Sequence, residues 1–482
     1  MKKTVAYAAL LLIAAGLIGP KFIGASAKER VDTYVEALNS NTVYKASWKE
    51  YRSGWFESGG TLQFELNMPA LAAAPDADAT AEIDPVAFGF DAEVTMQHGP
   101  VLTREGFALG LVNWQLDLVQ PQGLEGMVQW DESLPLYSAA GQAGLFGDMR
   151  FSEQIPALKL QIDAGAPQFD FSGYTSGGTL SGGQVEYRGS SRGMSTAGPE
   201  GGMEMGAIDV DFTAQYDGDL VDLMAGALYD MQGSVKLASI KAAGDEPVFD
   251  LQNLVMDIDS ILSDNGDLAD IKLGYAAARV TAGDTRVTDA GVDIIVENYS
   301  AEFNKRYTKL LADSTGNTDV EQIQAQMQTF MQQDLLLLLR ENPELKLENL
   351  RFSLPEGEFK GRAQIKLDGI TELPADPNDP EFWLQHIVMS ANLAADNALA
   401  ERIAVQFAQM QLSNNAPPET TPEQLAEAAQ QQGPMMLGMF GQQGILVQQE
   451  GQYRFDFSYN KGESVLNGNP IDLPIGAILS AK

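Results

Sequence analysis

The residue types that most often do chemistry are scarce in this chain. Among 482 residues there are two histidines, His98 and His386, and no cysteine. Thiolate catalysis, disulfides and cysteine-ligated metals are therefore excluded. No His-x-x-x-His or Glu-x-x-His spacing exists, so a histidine metal site would need both rings to meet carboxylates through the fold. The Gly99-Pro100 pair after His98 favours a turn, which puts His98 at a strand end. An imidazole there bonds a backbone carbonyl and fixes the turn; the other uses open to it are contact with a ligand or partner and proton transfer. His386, between Trp383 and the strand-like start Ile387-Val388, reads as a satisfied, partly buried polar group.

Three short patterns imitate catalytic or metal motifs and fail on context. Leu180-Ser181-Gly182-Gly183-Gln184 copies the signature loop of ABC-transporter ATPases, but the chain has no Gly-x-x-x-x-Gly-Lys-Ser/Thr phosphate loop, so the segment is expected to be a Gly-rich hairpin. Gly189-Ser190-Ser191-Arg192-Gly193 has the spacing of a nucleophile elbow, which needs a helix directly after the serine; Thr196-Ala197-Gly198-Pro199 follows instead. Asp257, Asp259, Asp264 and Asp267 cluster near Gly266, yet with that glycine at position six of a calcium loop, positions one and three would be Ile261 and Ser263. The expectation is no catalytic, cofactor or metal residue, with solvated turns in place of a cation site. With 66 acidic residues, carboxylate pairs alone carry no signal for glycosidase chemistry.

The charge balance narrows the partners. Against those 66 acidic residues stand 31 basic ones, a formal charge of −35, which repels phosphate backbones and anionic headgroups. Nucleic acid is thereby excluded as a partner. A hydrophobic fraction of 44% over this length is enough for a large core and two or three domains.

The elements that must carry these residues begin with a membrane signal. Lys2 and Lys3 precede an uncharged run over residues 4–20, containing Thr4, Leu11, Ile13, Leu17 and Pro20, the order that export machinery reads. As a helix this run would reach roughly 25 Å, slightly under the roughly 30 Å of bilayer hydrocarbon, a marginal span that Lys21 can extend by reaching to the interface. Ala25-Ser26-Ala27 is a small-residue triplet of the kind a signal peptidase cuts. Residues 1–27 are thus either an anchor or a cleaved signal. Val31, Tyr34, Val35 and Leu38 fall at i, i+3, i+4, i+7 and predict an amphipathic helix over residues 26–40.

Beyond it the period changes to two. Leu62, Phe64 and Leu66 alternate with polar residues, and the same beat recurs near residues 93–97, 158–162, 169–171, 208–212, 235–237, 292–296, 347–352 and 363–367. Many short strands with Gly-rich turns predict an α+β, predominantly antiparallel β chain: an extended twisted sheet with an N-terminal hydrophobic helix and helices inserted in the C-terminal third. Those helices are predicted from a capping box at Thr318-Asp319-Val320-Glu321 to Arg340, over residues 395–412, and from Thr421-Pro422 with Gln424 three residues after the cap. Asn342-Pro343 ends the first, and residues 413–420 read as a loop. Hairpin turns are expected at Glu450-Gly451 and Asn460-Lys461-Gly462. Residues 72–85 and 189–207 read as loops between strands. The organisation expected is 1–27 signal or anchor, 28–41 amphipathic helix, 42–297 a β-rich region, and 298–482 a mixed region completing the sheet or forming a second domain.

Tyr51-x-x-Gly54-x-Phe56-x-Ser58 before an alternating strand, and His98-Gly99-Pro100 closing the next, resemble the YdgA/YihF family of bacterial envelope proteins. So do Asn467-Gly468 in the last hairpin and Asn342-Pro343-Glu344-Leu345 ahead of a new strand. The resemblance implies location: a signal or anchor at the bacterial inner membrane and a body in the periplasm. It implies no assigned activity. Two functions are open. One is a non-enzymatic protein that binds or scaffolds envelope components, homo-oligomers included. The other is a lipid- or lipoprotein-handling module, because a twisted sheet can curl into an apolar groove; residues 345–352 and 359–367 look like the strand pairs of AsmA-like proteins. No cofactor is expected in either case.

Overall fold

A computed structural model of the chain describes residues 2–39, 44–68, 86–104, 106–118, 126–161, 167–198, 201–216, 226–243, 249–314, 320–377, 379–415 and 420–471. The loop expected at 72–85 and the cap residues Thr318 and Asp319 lie outside them. The fold is a large antiparallel sheet with an N-terminal helix and further helices in the C-terminal third, as the residue pattern predicts. Two compact units divide the chain: residues 1–236 with 304–333, and 237–303 with 334–482.

The first unit opens with α1 (Lys2–Asn39), one unbroken helix that joins the apolar run to the amphipathic helix expected after it. Pro20 sits inside it; a proline there removes one helical hydrogen bond, and the helix continues through it. Sixteen strands follow: β1 (Tyr44–Ser53), β2 (Glu57–Met68), β3 (Val86–His98), β4 (Val101–Leu102), β5 (Ala108–Leu109), β6 (Val112–Leu118), β7 (Val128–Trp130), β8 (Tyr137–Ala143), β9 (Met149–Ile155), β10 (Leu158–Leu160), β11 (Gln168–Phe171), β12 (Tyr174–Ser181), β13 (Gln184–Ser191), β14 (Met194–Gly198), β15 (Gly201–Met205) and β16 (Ile208–Gln215). The ladder runs β1-β2-β3-β6-β8-β9-β12-β13-β16, antiparallel throughout. Alternation on β1 to β3 turns Ala46, Leu62, Val94 and Met96 inward, and Ala27, Val31, Val35 and Leu38 of α1 cover them.

Residues 189–207 are a correction. Most of the described residues there are strand, not loop: β13 ends at Ser191 and pairs with β16, and β14 pairs with β15. Few large side chains there made the segment look unstructured. The glycines instead make room for neighbours, since a Cβ on Gly189 would overlap the Tyr174 hydroxyl. The Gly182-Gly183 segment is the expected tight hairpin turn, both residues at positive φ, between the paired Ser181 and Gln184.

β17 (Asp230–Ala243) crosses the unit boundary. The second unit is a meander of long strands, β18 (Phe249–Leu262), β19 (Leu268–Ala282), β20 (Thr285–Ser300), β21 (Glu344–Leu354), β22 (Gly357–Leu367) and β23 (Ile387–Asp396), closed by β24 (Val447–Gln449), β25 (Gln452–Asn460), β26 (Glu463–Leu466) and β27 (Asn469–Ile471). The expectation of short strands fails here: β18 to β20 have 14 to 16 residues each. Two register breaks between β20 and β21 accompany positive φ at Asp289 and Asn349, residues that tolerate the left-handed region.

Five more helices are described: α2 (Ala301–Ser314), α3 (Val320–Leu339), α4 (Pro380–His386), α5 (Asn397–Asn415) and α6 (Pro422–Gln442). The periodicity did not reveal α2 and α4. The helix predicted from residue 395 starts at Asn397, because Ala395 and Asp396 still pair with Tyr453 and Gln452 in the sheet. Thr421 caps α6 with the expected reciprocal bonds to Gln424. Among the described residues, no helix is long and apolar enough to cross a membrane; the side chains of residues 2–19 are not among them.

Candidate functional site

The family-like residues of the first unit converge where α1 meets the sheet. His98 ends β3 and is 2% exposed. Its Nε2 lies 2.8 Å from the hydroxyl of Ser58, itself buried on β2, and its Nδ1 lies 3.4 Å from the Trp55 carbonyl. A carbonyl only accepts, so this geometry puts the proton on Nδ1 and lets Nε2 accept from Ser58. The backbone is fixed around the ring: His98 N–H donates to the Phe56 carbonyl at 2.7 Å, Gly99 N–H to Leu111 at 2.6 Å, and Gly110 N–H to Pro100 at 3.1 Å. Gly54 turns β1 into β2 by donating to Glu57 at 2.8 Å. A Cβ on Gly99 would overlap the Gly110 carbonyl, so only glycine fits.

The lid over this ring is Gly24 of α1. A Cβ there would overlap three imidazole atoms, which puts helix backbone directly against the ring. Pro20, one turn earlier, is fully buried. Lys21 Nζ donates to Ser53 at 3.2 Å, and Lys28 lies over the Tyr51 ring at 5.2 Å from its centre. Farther along, Trp48 Nε1 donates to Asp32 at 2.9 Å, and Asn39 brackets Ala46 with two hydrogen bonds. Burial holds the His98 pKa below its ordinary value; Lys21 adds to that effect, while the Trp55 carbonyl and Glu57 oppose it. A serine against an imidazole is the contact of a nucleophile with its base. Here both are buried, helix backbone covers the ring, and Nδ1 faces a carbonyl in place of an orienting carboxylate. The arrangement serves to dock α1. Ser58 and Gly24 complete the site, and a sequence signal existed for each: Ser58 closes the Tyr51 motif, and Gly24 and Ala27 continue the Pro20 face at helical spacing.

Thr4, Leu11, Ile13 and Leu17 lie on α1, with side chains outside the described residues. Asn467 and Gly468 belong to the second unit, where both have positive φ and form the two-residue turn between β26 and β27. Asn467 also donates to the carbonyls of Gly444 and Ile445, at 2.7 and 3.0 Å, fixing the segment that follows α6. His386 is the last residue of α4, its Nδ1 2.7 Å from the Phe382 carbonyl. The imitated elbow serine, Ser191, donates to the Gly173 carbonyl.

The segment Asn467 holds is one wall of a groove. α5 and α6 pack against each other through small residues, with Gly433 against the Val405 backbone, and rest on the sheet through Ala400, Ala404 and Leu437. Beside that seam they leave a cavity of about 360 Å³. The sheet supplies Phe359, Leu393, Ala395, Tyr453 and Phe455; the helices supply Ile403, Phe407, Met436 and Phe440; Ile445 and Leu446 close one end. Phe359 belongs to the β21-β22 hairpin and stacks on Phe352 at 5.0 Å. Ile403, Phe407 and Met410 are exposed at i, i+4, i+7 along α5, a spacing that could have marked this face in the sequence. A second cavity, of about 550 Å³ in the first unit, is polar and charge-paired, with Arg188 bonded to Asp211 at 2.7 Å.

An antiparallel sheet that buries an N-terminal helix at one site and holds a helix pair over an open apolar groove at another defines an α+β protein built around helix-on-sheet seams. The chain belongs to the family described as bacterial protein of unknown function (DUF945), which it matches over residues 1–474. No curated protein and no solved structure matches it.

Proposed function

We propose that this is a non-enzymatic periplasmic protein of the YdgA/YihF kind, associated with the bacterial inner membrane through its N-terminal segment, that binds envelope components. The component its geometry fits best is the acyl chain of a lipid or lipoprotein. The observation that carries this reading is the groove between α5, α6 and the sheet. The groove, about 360 Å³, has walls whose one polar side-chain group is the Tyr453 phenol. Water against these walls finds almost no protein partner, and a peptide would strand the backbone groups it turned toward them. An acyl chain has no such groups to satisfy. The absence of charge from the lining and the sealed state of His98 and Ser58 support a binding role over catalysis.

The test is to extract the full chain from membranes, purify it, and analyse copurified lipid by mass spectrometry. A stoichiometric acyl species is expected; clean protein would sink the acyl reading. A protein partner or a second copy is the other reading, favoured by Met410 and Met435, which are 55% and 73% exposed on the same two helices. Crosslinking in intact cells tests it, and recovery of no specific partner or self-contact would count against it.

A further inference from the structure

We infer that the His98 end of the first-unit sheet is a membrane-docking surface, an aromatic rim that rests on the phospholipid bilayer beside the point where α1 enters it. The inference builds on the reading of residues 4–20 as a membrane segment and adds a contact made by the body itself.

The register places three connections at one end of the sheet. Ser53 pairs with Ser58, Glu57 with Gln97, His98 with Val112, Val112 with Ala143, and Ala143 with Met149. The links β1-β2, β3-β6 and β8-β9 therefore emerge side by side. Each carries large apolar residues pointing to solvent: Trp55 and Phe56 at 50% exposure, Phe107 at 81%, and Phe146 at 97%. The helix adds a fifth, Phe22 at 70%, two residues after the buried Pro20. Five exposed aromatics at one sheet end are not the scatter of a monomer surface. They sit where Gly24 and Lys21 fix α1 to His98 and Ser53, next in sequence to the apolar run that precedes Pro20 in the same helix.

The occupant follows from that continuity and from local charge. Aromatic side chains next to the end of a membrane segment are the composition of an interfacial belt. Lys21, Arg52, Arg104 and Arg150 balance the carboxylates Glu50, Glu57, Asp148 and, by sequence, Glu105, with Arg52 paired to Glu50 at 2.7 Å, so this end carries about equal charge of both signs in a chain whose net charge is −35. A locally balanced end is spared, at short range, the repulsion of anionic headgroups that the rest of the chain carries. Phe56, whose carbonyl holds the His98 backbone, thereby acquires a second role through its side chain.

The chain has no cysteine, so each introduced cysteine is a unique label site. Phe107→Cys, Phe146→Cys, Leu11→Cys and Leu134→Cys would carry an environment-sensitive fluorophore in the full chain, reconstituted into phosphatidylethanolamine and phosphatidylglycerol vesicles. Leu134 is an exposed apolar control in the β7-β8 connection, at the opposite end of the sheet. Labels at 107 and 146 are expected to be quenched by lipid-borne nitroxide and to be about threefold less accessible to aqueous iodide than the label at 134. Equal iodide access at 107, 146 and 134 with residue 11 immersed would overturn the rim and leave the tether standing. Aqueous labels at 11, 107 and 146 together would overturn both.

Discussion

The His98 end of the first unit and the α5-α6 groove of the second both expose apolar side chains, and they differ in shape and in charge. At the first, helix and sheet are in contact down to a glycine, and the apolar groups left over are rings on protruding connections with Arg and Lys among them. At the second, alanines hold two helices near the sheet, and larger side chains beside them line a concave, uncharged slot. A protruding aromatic rim with balanced charges around it fits a surface; a concave slot without charge fits a chain. The same hydrophobic excess thus supports two different contacts, set by whether the helix closes its seam.

The largest effect is expected from opening the closed seam. Gly24→Leu forces a side chain into the His98 ring and is expected to cost about 3 kcal/mol of α1 docking. Hydrogen exchange should rise along α1 and at the end of β3, with the second unit unchanged; unaltered protection at His98 would show that the seam is not tight. Next in size is a charge in the open slot. Phe407→Glu, at a residue 42% exposed, should change stability by no more than about 0.5 kcal/mol yet weaken fatty-acid binding about tenfold, read by titration of a fluorescent fatty acid. Equal affinity in both proteins would remove the slot from consideration.

A smaller effect comes from pH. The folded pKa of His98 is held below the unfolded value near 6.5, so in the window between them the unfolded chain binds more protons. The His98 contribution is therefore fully present above the unfolded value and declines as pH falls through the window toward the folded pKa. Stability of α1 docking, followed by proteolysis from pH 7.5 to about 5, should show a slope that His98→Gln lacks; a slope retained by the variant would assign it to other groups. The smallest effect is expected for Lys28→Met. It removes a partly exposed ion pair with Asp32 and the contact over Tyr51, together about 0.5–1 kcal/mol, diminished by salt.

Much of the first unit was legible because its signals are local. His98 at a strand end, turned by Gly99-Pro100, and the Gly182-Gly183 hairpin follow from residue type and spacing. Thr421 and Gln424 announced α6 for the same reason. What was not legible depends on long-range packing. Ser58 stood in the quoted motif, but its bond to His98 links residues 40 apart. The small residues at 189–207 carry little strand signal of their own; neighbours such as Tyr174 hold them in the sheet. The rim needed the register of six strands before Trp55, Phe107 and Phe146 could be seen as one surface.

The occupant of the groove decides whether this protein handles acyl chains. A fatty acid bearing a photoreactive diazirine, added to membranes that contain the full chain, would mark whatever its acyl tail touches. Labelled peptides should include Ile403, Phe407 and Met410 on α5 and Met436 and Phe440 on α6, and that labelling should fall in Phe407→Glu. Label confined to residues 2–22, with α5 and α6 unmarked, would contradict it.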